Sequence, residues 1–546
     1  MRGTPPGGLV GRNFEHPVIF WLGTLACTVG VLLHLPMYYS ARSMGYVMAG
    51  MRADASMVIG MTLILVGLAA VLFSLLPPRG VTRGQSVARI RVRALDDAPI
   101  RRQHVALMIV MAIAVTIDVM KPTTLSFVTP GMAHEYGILP ANKHSHTTVA
   151  WLPLIGIAGT VLGSLMWGSL SDRIGRRASI MFAGMLFVTT SICGAMPGFT
   201  WNLVMCLLMG IGAGGMLPVA FTLLAETMPA RHRGWLMVLI GGDVIGAYAL
   251  VSWLAGWLTP HYSWRILWLI GLPTGLLFIA LNRWIPESPR YLISRGRLEE
   301  AGEVMARYGA VAHVVDETGP DTVGEDAPRR GAVLDLIRRP LTGTSLSILF
   351  LGLGIGLVTY GFQQWVPTNL QRLGYTAVRS DFVIRDAALL GLPVTVLVAW
   401  MYWAWGSRRT IVALSVATSA ALAGFAFAGD ALAHDRLLLS LLLVIPLSGI
   451  SSMAAVAVGY AAEVYPTRIR TRGAGLAAGM TKAGGVLILA VVVGMKSVPS
   501  ITTTAVIGAV PLLVAALTLV WVGPETKRRG LEAIIAVEQP LVAEPV

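Results

Sequence analysis

The chain has 546 residues, 55% of them hydrophobic and only 13% charged, with a formal net charge of +14. Soluble domains average about 25% charged residues, so this composition, with a mean hydropathy of +0.70, excludes a soluble protein and demands a membrane-embedded one. Nor does the positive charge read as nucleic-acid binding: the arginines sit in short segments between apolar runs, where cytoplasmic loops need them, and contact with membrane lipids follows as a secondary consequence.

Apolar stretches of about 20 residues, enough to cross about 30 Å of hydrocarbon, recur about fourteen times. The first two, near 17–36 and 56–77, make up an N-terminal extension over 1–78. The first run is long for a signal peptide and lacks a small-residue cleavage site, so it reads as a retained helix. A basic linker over 79–103 follows, carrying Arg79, Arg83, Arg89, Arg91, Arg93, Arg101 and Arg102. Six spans are expected within 104–285, near 104–128, 147–167, 178–197, 201–225, 235–257 and 264–284. A polar segment over 286–342 separates them from six more within 343–523, near 343–367, 383–405, 410–428, 437–461, 473–495 and 502–522, before a tail over 524–546.

Charge orients this pattern. Gly168–Arg177 reads GSLSDRIGRR, a cationic hairpin between two apolar runs, and the positive-inside rule places it in the cytoplasm. An even number of spans separates it from the 79–103 linker, and the basic segments at 226–234, 285–342 and 463–473 fall on the same side. Both termini are then expected in the cytoplasm. Within the central segment, Ser294–Tyr308 reads as an amphipathic surface helix and Asp316–Arg330 as a tether. The cysteines Cys27, Cys193 and Cys206 all lie in apolar runs, with neither metal-ligand spacing nor a disulfide framework.

The two six-span halves repeat. Ala225-Glu226-Thr227-Met228-Pro229, followed by Arg231, Arg233 and Gly234, returns as Ala462-Glu463-Val464-Tyr465-Pro466 with Arg468, Arg470, Arg472 and Gly473. Pro286-Glu287-Ser288 returns as Pro524-Glu525-Thr526, and the hairpin returns, without its aspartate, as Trp405-Gly406-Ser407-Arg408-Arg409. Parallel halves of this kind build one large class of secondary transporter.

On these residues the chain resembles the major facilitator superfamily. GSLSDRIGRR is similar to its signature loop between helices 2 and 3. Glu226 with Pro229-Ala230-Arg231, PESPR at 286–290 and PETKR at 524–528 resemble the sugar-porter and metabolite:proton-symporter branches. The resemblance covers about 104–530 and implies an all-α membrane fold of two six-helix bundles, here with a two-helix N-terminal extension. Fourteen-helix drug exporters of the superfamily carry their extra pair between the halves and have a helix-5 signature that Trp235–Trp257 lacks, so both departures argue against drug efflux.

Three groups of side chains carry the expected chemistry. A cytoplasmic gate is expected from Gly168, Asp172, Arg173, Gly175, Arg176, Arg177, Glu226 and Arg231 in the first half and Arg408, Arg409, Glu463 and Arg468 in the second. Topological anchoring explains the arginines but not the placement of the acids. The charges inside apolar spans, costing about 2.5–3.5 kcal/mol each at mid-bilayer, must face a cavity or a partner. Asp118 and Lys121 share one helix face by their i,i+3 spacing, just before Pro122 interrupts the helix. Asp243 and Lys482 fall at equivalent depths of the two halves. Asp118, then Asp243, are the proton-coupling candidates, with a fixed Asp118–Lys121 ion pair as the structural alternative. Lys121, Lys482 and the Gln363, Gln364, Trp365 cluster, which resembles the paired glutamines of sugar porters, are the substrate-binding candidates, with helix packing the alternative for the cluster. Cys206 stands where many members of the family carry an arginine implicated in proton handling, which leaves the two lysines as candidate replacements.

The expected function is therefore alternating-access transport of a small organic solute, an organic acid ahead of a neutral sugar, across the cytoplasmic membrane, with proton symport. Efflux by proton antiport and a transporter-like receptor without turnover are the alternatives. With no nucleotide-binding loop, nucleophile–base constellation or metal cluster in the sequence, no enzyme activity, cofactor or metal is expected. The partners are a small-molecule substrate, protons and lipids, and oligomeric state is left open.

Overall fold

The computed structural model describes residues 16–76, 95, 98–138, 148–310, 341–428, 435–465, 470–495 and 499–524. Fourteen helices among them are long and apolar enough to cross a membrane, the number expected from the apolar runs. We number them α1 (Pro17–Met44), α2 (Ala55–Leu75), α3 (Arg102–Glu135), α4 (Trp151–Ile174), α5 (Arg176–Ala195), α6 (Phe199–Thr227), α7 (Gly234–Tyr262), α8 (Ile266–Trp284), α9 (Thr342–Arg372), α10 (Ala377–Trp405), α11 (Ser407–Ala428), α12 (Leu437–Ala461), α13 (Gly475–Met495) and α14 (Ile501–Val522). The tether expected at 316–330 lies outside the described residues.

Several helices overrun the apolar run that announced them. α3 continues for 34 residues, straight through Pro122 and Pro130, so Pro122 does not end it. Neighbouring helices hold a proline-containing span together, but the missing N–H leaves the carbonyl four residues back, that of Asp118, without its helical donor. α4 likewise stays helical through Asp172 and Arg173 to Ile174, which reduces the expected hairpin to a single residue. Gly175 makes the turn at φ +97° and ψ 162°, a conformation that L side chains rarely adopt.

The same turn occurs in the second half. Gly406 has φ +94° and ψ 169°. The Gly175 N–H donates to the Ser171 carbonyl and the Gly406 N–H to that of Tyr402, both at 3.1 Å. Ser179 Oγ and Thr410 Oγ1 each return a 2.7 Å bond to the glycine carbonyl. The degenerate copy has lost its aspartate but kept its backbone.

Within the first six spans α4 runs along α6, α5 packs on α6 and α8, and α3 crosses α6 and α7. In the second six, α9 packs on α13 and α14, α11 on α12 and α14, and α10 on α12. Two seams join the halves: α7 against α10 and α12, and α4 against α13. Residues 363–372 of α9 also pack on α3, at the far end of the molecule from Gly175.

The N-terminal hairpin closes on itself through small residues. A Cβ at Gly67 would stand 2.6 Å from Cys27 Sγ and 2.7 Å from the Gly23 carbonyl, and one at Gly30 would stand 2.7 Å from the Gly60 carbonyl. Such spacing lets backbones approach closely where lipid offers no hydrophobic drive. The pair lies on α5, whose apolar window is 100% buried against 33% for α2. The hairpin thus takes the lipid-facing position and α5 becomes an interior helix.

Candidate functional site

The interior charges do not form the pair that their spacing allows. Asp118 and Lys121 are 3% and 4% exposed, yet neither Asp118 Oδ1 nor Lys121 Nζ has a hydrogen-bond partner. The long Lys121 side chain turns into the first half, where its ammonium stands 5.7 Å from the centroid of the Trp268 ring and fills space left open by Gly271 beside Ser191. The short Asp118 side chain instead interacts electrostatically with Lys482 of α13, in the other half. Lys482 Nζ crosses the seam and donates to the Thr160 carbonyl of α4 at 3.1 Å.

Asp243 marks a break in α7, where one helical segment ends at Gly242 and the next begins at Val244. Thr116 Oγ1 of α3 donates a short hydrogen bond to its Oδ2, so this carboxylate has a partner where Asp118 Oδ1 has none.

α9 is irregular where the glutamines lie. A π-helical turn over Val358–Phe362 gives way to a 3₁₀ turn over Gln363–Trp365, and regular helix resumes at Val366. Pro367 cannot donate to the Gln363 carbonyl, which helps open the ladder at that point. Gln363 Nε2 is committed to the Pro446 carbonyl of α12 at 2.7 Å. Gln364 Nε2 and Trp365 Nε1 are buried without a partner, as are Thr368 Oγ1 and Asn369 Nδ2. Buried polar atoms are usually satisfied, and a cluster of unsatisfied donors beside α3 is what a polar ligand needs.

At the end carrying Gly175, Arg176 gathers the acids that the sequence placed there. Its Nη2 stands 3.1 Å from Asp172 Oδ1 and its Nε 3.6 Å from Glu226 Oε2. Ser288 Oγ adds a short bond to that Glu226 oxygen. The unanticipated member is Glu287, whose Oε1 accepts the backbone N–H groups of Arg176 at 2.8 Å, Ser288 at 2.9 Å and Arg177 at 3.3 Å. It thereby caps the start of α5, where orphan N–H groups and the helix dipole favour an anion. Burial raises the Glu287 pKa above its usual 4.5, against the opposing pull of those N–H groups. A Cβ at Gly175 would meet Glu287 Oε2 at 2.5 Å and Tyr291 at 2.9 Å, so the glycine admits the cap as well as the turn. The Arg173 carbonyl accepts from Tyr291 Oη at 3.1 Å and, by a short bond, from Arg295.

Among the remaining gate candidates, Arg231 is exposed, and Arg408 Nη2 donates to the Val520 carbonyl of α14 at 2.5 Å. Arg409 is exposed and Gly168 lies within α4. The Glu463 side chain and Arg468 fall outside the described residues. The amphipathic surface helix expected at 294–308 spans Leu298–Arg307, and a separate short helix, Pro289–Ser294, precedes it. The longer of the two seats Met305, fully buried, and Tyr308, edge-on to His104 at 4.9 Å.

A second buried centre, at the far end, was not foreseen. Glu135 and Arg265 form a 2.6 Å ion pair with side chains 5% and 0% exposed. Glu135 also accepts from the Met48 and Ala49 N–H groups at 2.8 and 3.1 Å and from Trp264 Nε1 at 2.9 Å. Arg265 Nη1 reaches the Gly194 and Met196 carbonyls at 3.1 and 2.8 Å. One ion pair thus joins the α1–α2 connection, the end of α3, the α5–α6 connection and the start of α8. The available signal was Glu135 itself: an acid closing a helix faces the negative end of its dipole and needs cationic or N–H partners.

A family model described as Major Facilitator Superfamily matches residues 106–487. The niacin transporter NiaP of Acinetobacter baylyi is 28% identical over 451 residues, covering 81% of this chain and 99% of that protein. The 4-hydroxybenzoate transporter PcaK of the same organism is 24% identical over 402 residues, covering 72% and 85%. A solved inward-open structure of the xylose transporter XylE from E. coli superposes with a TM-score of 0.61 at 18% identity, over 80% of this chain and all of the other.

Proposed function

Because the chain belongs to the Major Facilitator Superfamily, we propose that it is a proton-coupled secondary transporter that carries a small organic acid across the cytoplasmic membrane. The observation carrying this reading is Lys121: a buried ammonium inside a membrane bundle, with no hydrogen-bond partner. A buried cation without an acceptor is costly, and the anionic group of a substrate supplies the acceptor. The unsatisfied donors of Gln364, Trp365 and Asn369 offer contacts to the rest of the solute. Niacin and 4-hydroxybenzoate, the compounds that name two relatives, are both small aromatic carboxylates, and the Trp268 ring beside the Lys121 ammonium supports that class over a sugar.

In this reading Asp118 is the proton carrier and Lys482 its counter-charge. Ionised Asp118 adds an electrostatic hold on Lys482, which already crosses the seam to the Thr160 carbonyl, and protonation removes that hold, so proton occupancy biases the alignment of the halves. Asp243, already held by Thr116, is the second candidate. The Asp172–Arg176–Glu226 cluster, capped by Glu287, is the gate of the first half, and the basic end is cytoplasmic together with both termini. Uptake by proteoliposomes of a panel of radiolabelled aromatic carboxylates, aliphatic carboxylates and sugars tests the assignment. Accumulation of an aromatic carboxylate driven by an inward proton gradient is expected. Accumulation of sugars alone, or of no solute despite saturable binding, overturns it, the latter in favour of a receptor.

A further inference from the structure

We propose that the cleft between the start of α5 and the two surface helices is an anion site for a phosphoryl group. Arg177, Glu287, Tyr291 and Arg297 line it, with Ile174 and Met181 as its apolar wall. Arg177 is only 9% exposed, and its Nε has no hydrogen-bond partner. Glu287 bears on Arg177 electrostatically, but its Oε1 accepts three backbone N–H groups and leaves that Nε without a hydrogen bond. A second guanidinium, that of Arg297, is held in place by Glu300 through bonds of 2.7 and 2.6 Å. A third, Arg307, bears on Arg177 electrostatically.

A desolvated guanidinium needs an anionic acceptor, and the planar donor fork of arginine matches phosphate oxygens in pairs. Two arginines from different elements, one buried and one braced, converge on a cleft that also has an apolar side. A phosphoryl group seated there joins α5 to the Leu298–Arg307 helix and ties the surface segment to the Gly175 turn. A phospholipid headgroup and free phosphate present the same chemistry, and the apolar wall suits the lipid.

The test uses the purified full-length protein in an uncharged detergent, with thermal unfolding followed during titration of inorganic phosphate, of dihexanoyl phosphatidic acid, and of dihexanoylglycerol as the phosphate-free control. Saturable stabilisation is expected, with apparent affinity weakened at least about tenfold in Arg177→Gln and in Arg297→Gln, and partly retained in Arg297→Lys. A response to phosphatidic acid alone assigns the site to a lipid, and a response to inorganic phosphate as well assigns it to any phosphoryl anion. The proposal is overturned by the absence of saturable stabilisation, by an equal response to dihexanoylglycerol, or by a response that survives both glutamine variants. Should Arg177→Gln not fold, Arg297→Gln decides alone, because that residue stands at the N-cap of a surface helix and its side chain is 35% exposed.

Discussion

Replacing Glu135 with glutamine changes one atom and should be among the most damaging conservative substitutions in the chain. Every contact the structure gives that carboxylate is a donor: two backbone N–H groups, the Trp264 indole and the Arg265 guanidinium. The amide of a glutamine therefore has no acceptor to face, and Arg265, fully buried, loses its counter-charge. Breaking a buried ion pair from one side costs about 3–5 kcal/mol. The half-buried Arg297–Glu300 pair, with side chains 35% and 29% exposed, provides the contrast, since pairs near the surface contribute about 0–1 kcal/mol. Unfolding rates in detergent at fixed temperature are the proper assay, because membrane proteins of this size seldom unfold reversibly. Glu135→Gln should accelerate unfolding by two orders of magnitude or more, and Glu300→Gln by less than about fivefold. In a double-mutant cycle, Glu135→Gln with Arg265→Gln should cost less than the sum of the singles. Equal effects of Glu135→Gln and Glu300→Gln, or strict additivity, would show that the buried pair is not coupled as its burial requires.

The cap on α5 gives a pH-dependent expectation. Because burial raises the Glu287 pKa above 4.5, the folded state holds that proton more tightly than the unfolded one. This residue's contribution to stability is therefore greatest below pH 4.5 and declines as pH rises toward the raised folded value. Glu287→Gln, whose amide oxygen can still accept the three N–H bonds, should flatten that part of the stability profile in a thermal-unfolding series across pH. Gly175→Ala should cost about 1–3 kcal/mol from φ alone, and more because its Cβ meets Glu287; Gly406→Ala should show the φ cost. Deleting residues 1–78 should expose α5 and leave Glu135 without its Met48 and Ala49 donors, so detergent extraction should yield aggregated protein by size-exclusion chromatography. A monodisperse, active truncation would contradict the interior role of α5.

The spans were legible because hydrophobic length acts locally along the chain, and each span could be read without knowing its neighbours. The repeat was legible for the same reason, down to Gly406 adopting the conformation of Gly175. Side-chain direction was not. The i,i+3 spacing of Asp118 and Lys121 permits a pair, but the choice was made by Gly271 and Trp268, 150 and 147 residues beyond Lys121 by their numbering, and by Lys482 in the other half. Glu287 was read as a landmark closing a half, and its partners are backbone N–H groups, which leave no mark in side-chain patterns. Glu135 and Arg265 carried no expectation, since their ion pair joins helix ends 130 residues apart in sequence.

The proposed coupling of solute movement to protons through Asp118 is tested by a paired transport measurement on Asp118→Asn. In proteoliposomes loaded with the transported carboxylate, counterflow reports the alternation of the loaded carrier, and accumulation under an imposed pH gradient reports coupling. Asp118→Asn is expected to retain counterflow and to lose gradient-driven accumulation. Accumulation that persists in Asp118→Asn, under the same gradient and at the same reconstituted amount, would contradict that coupling.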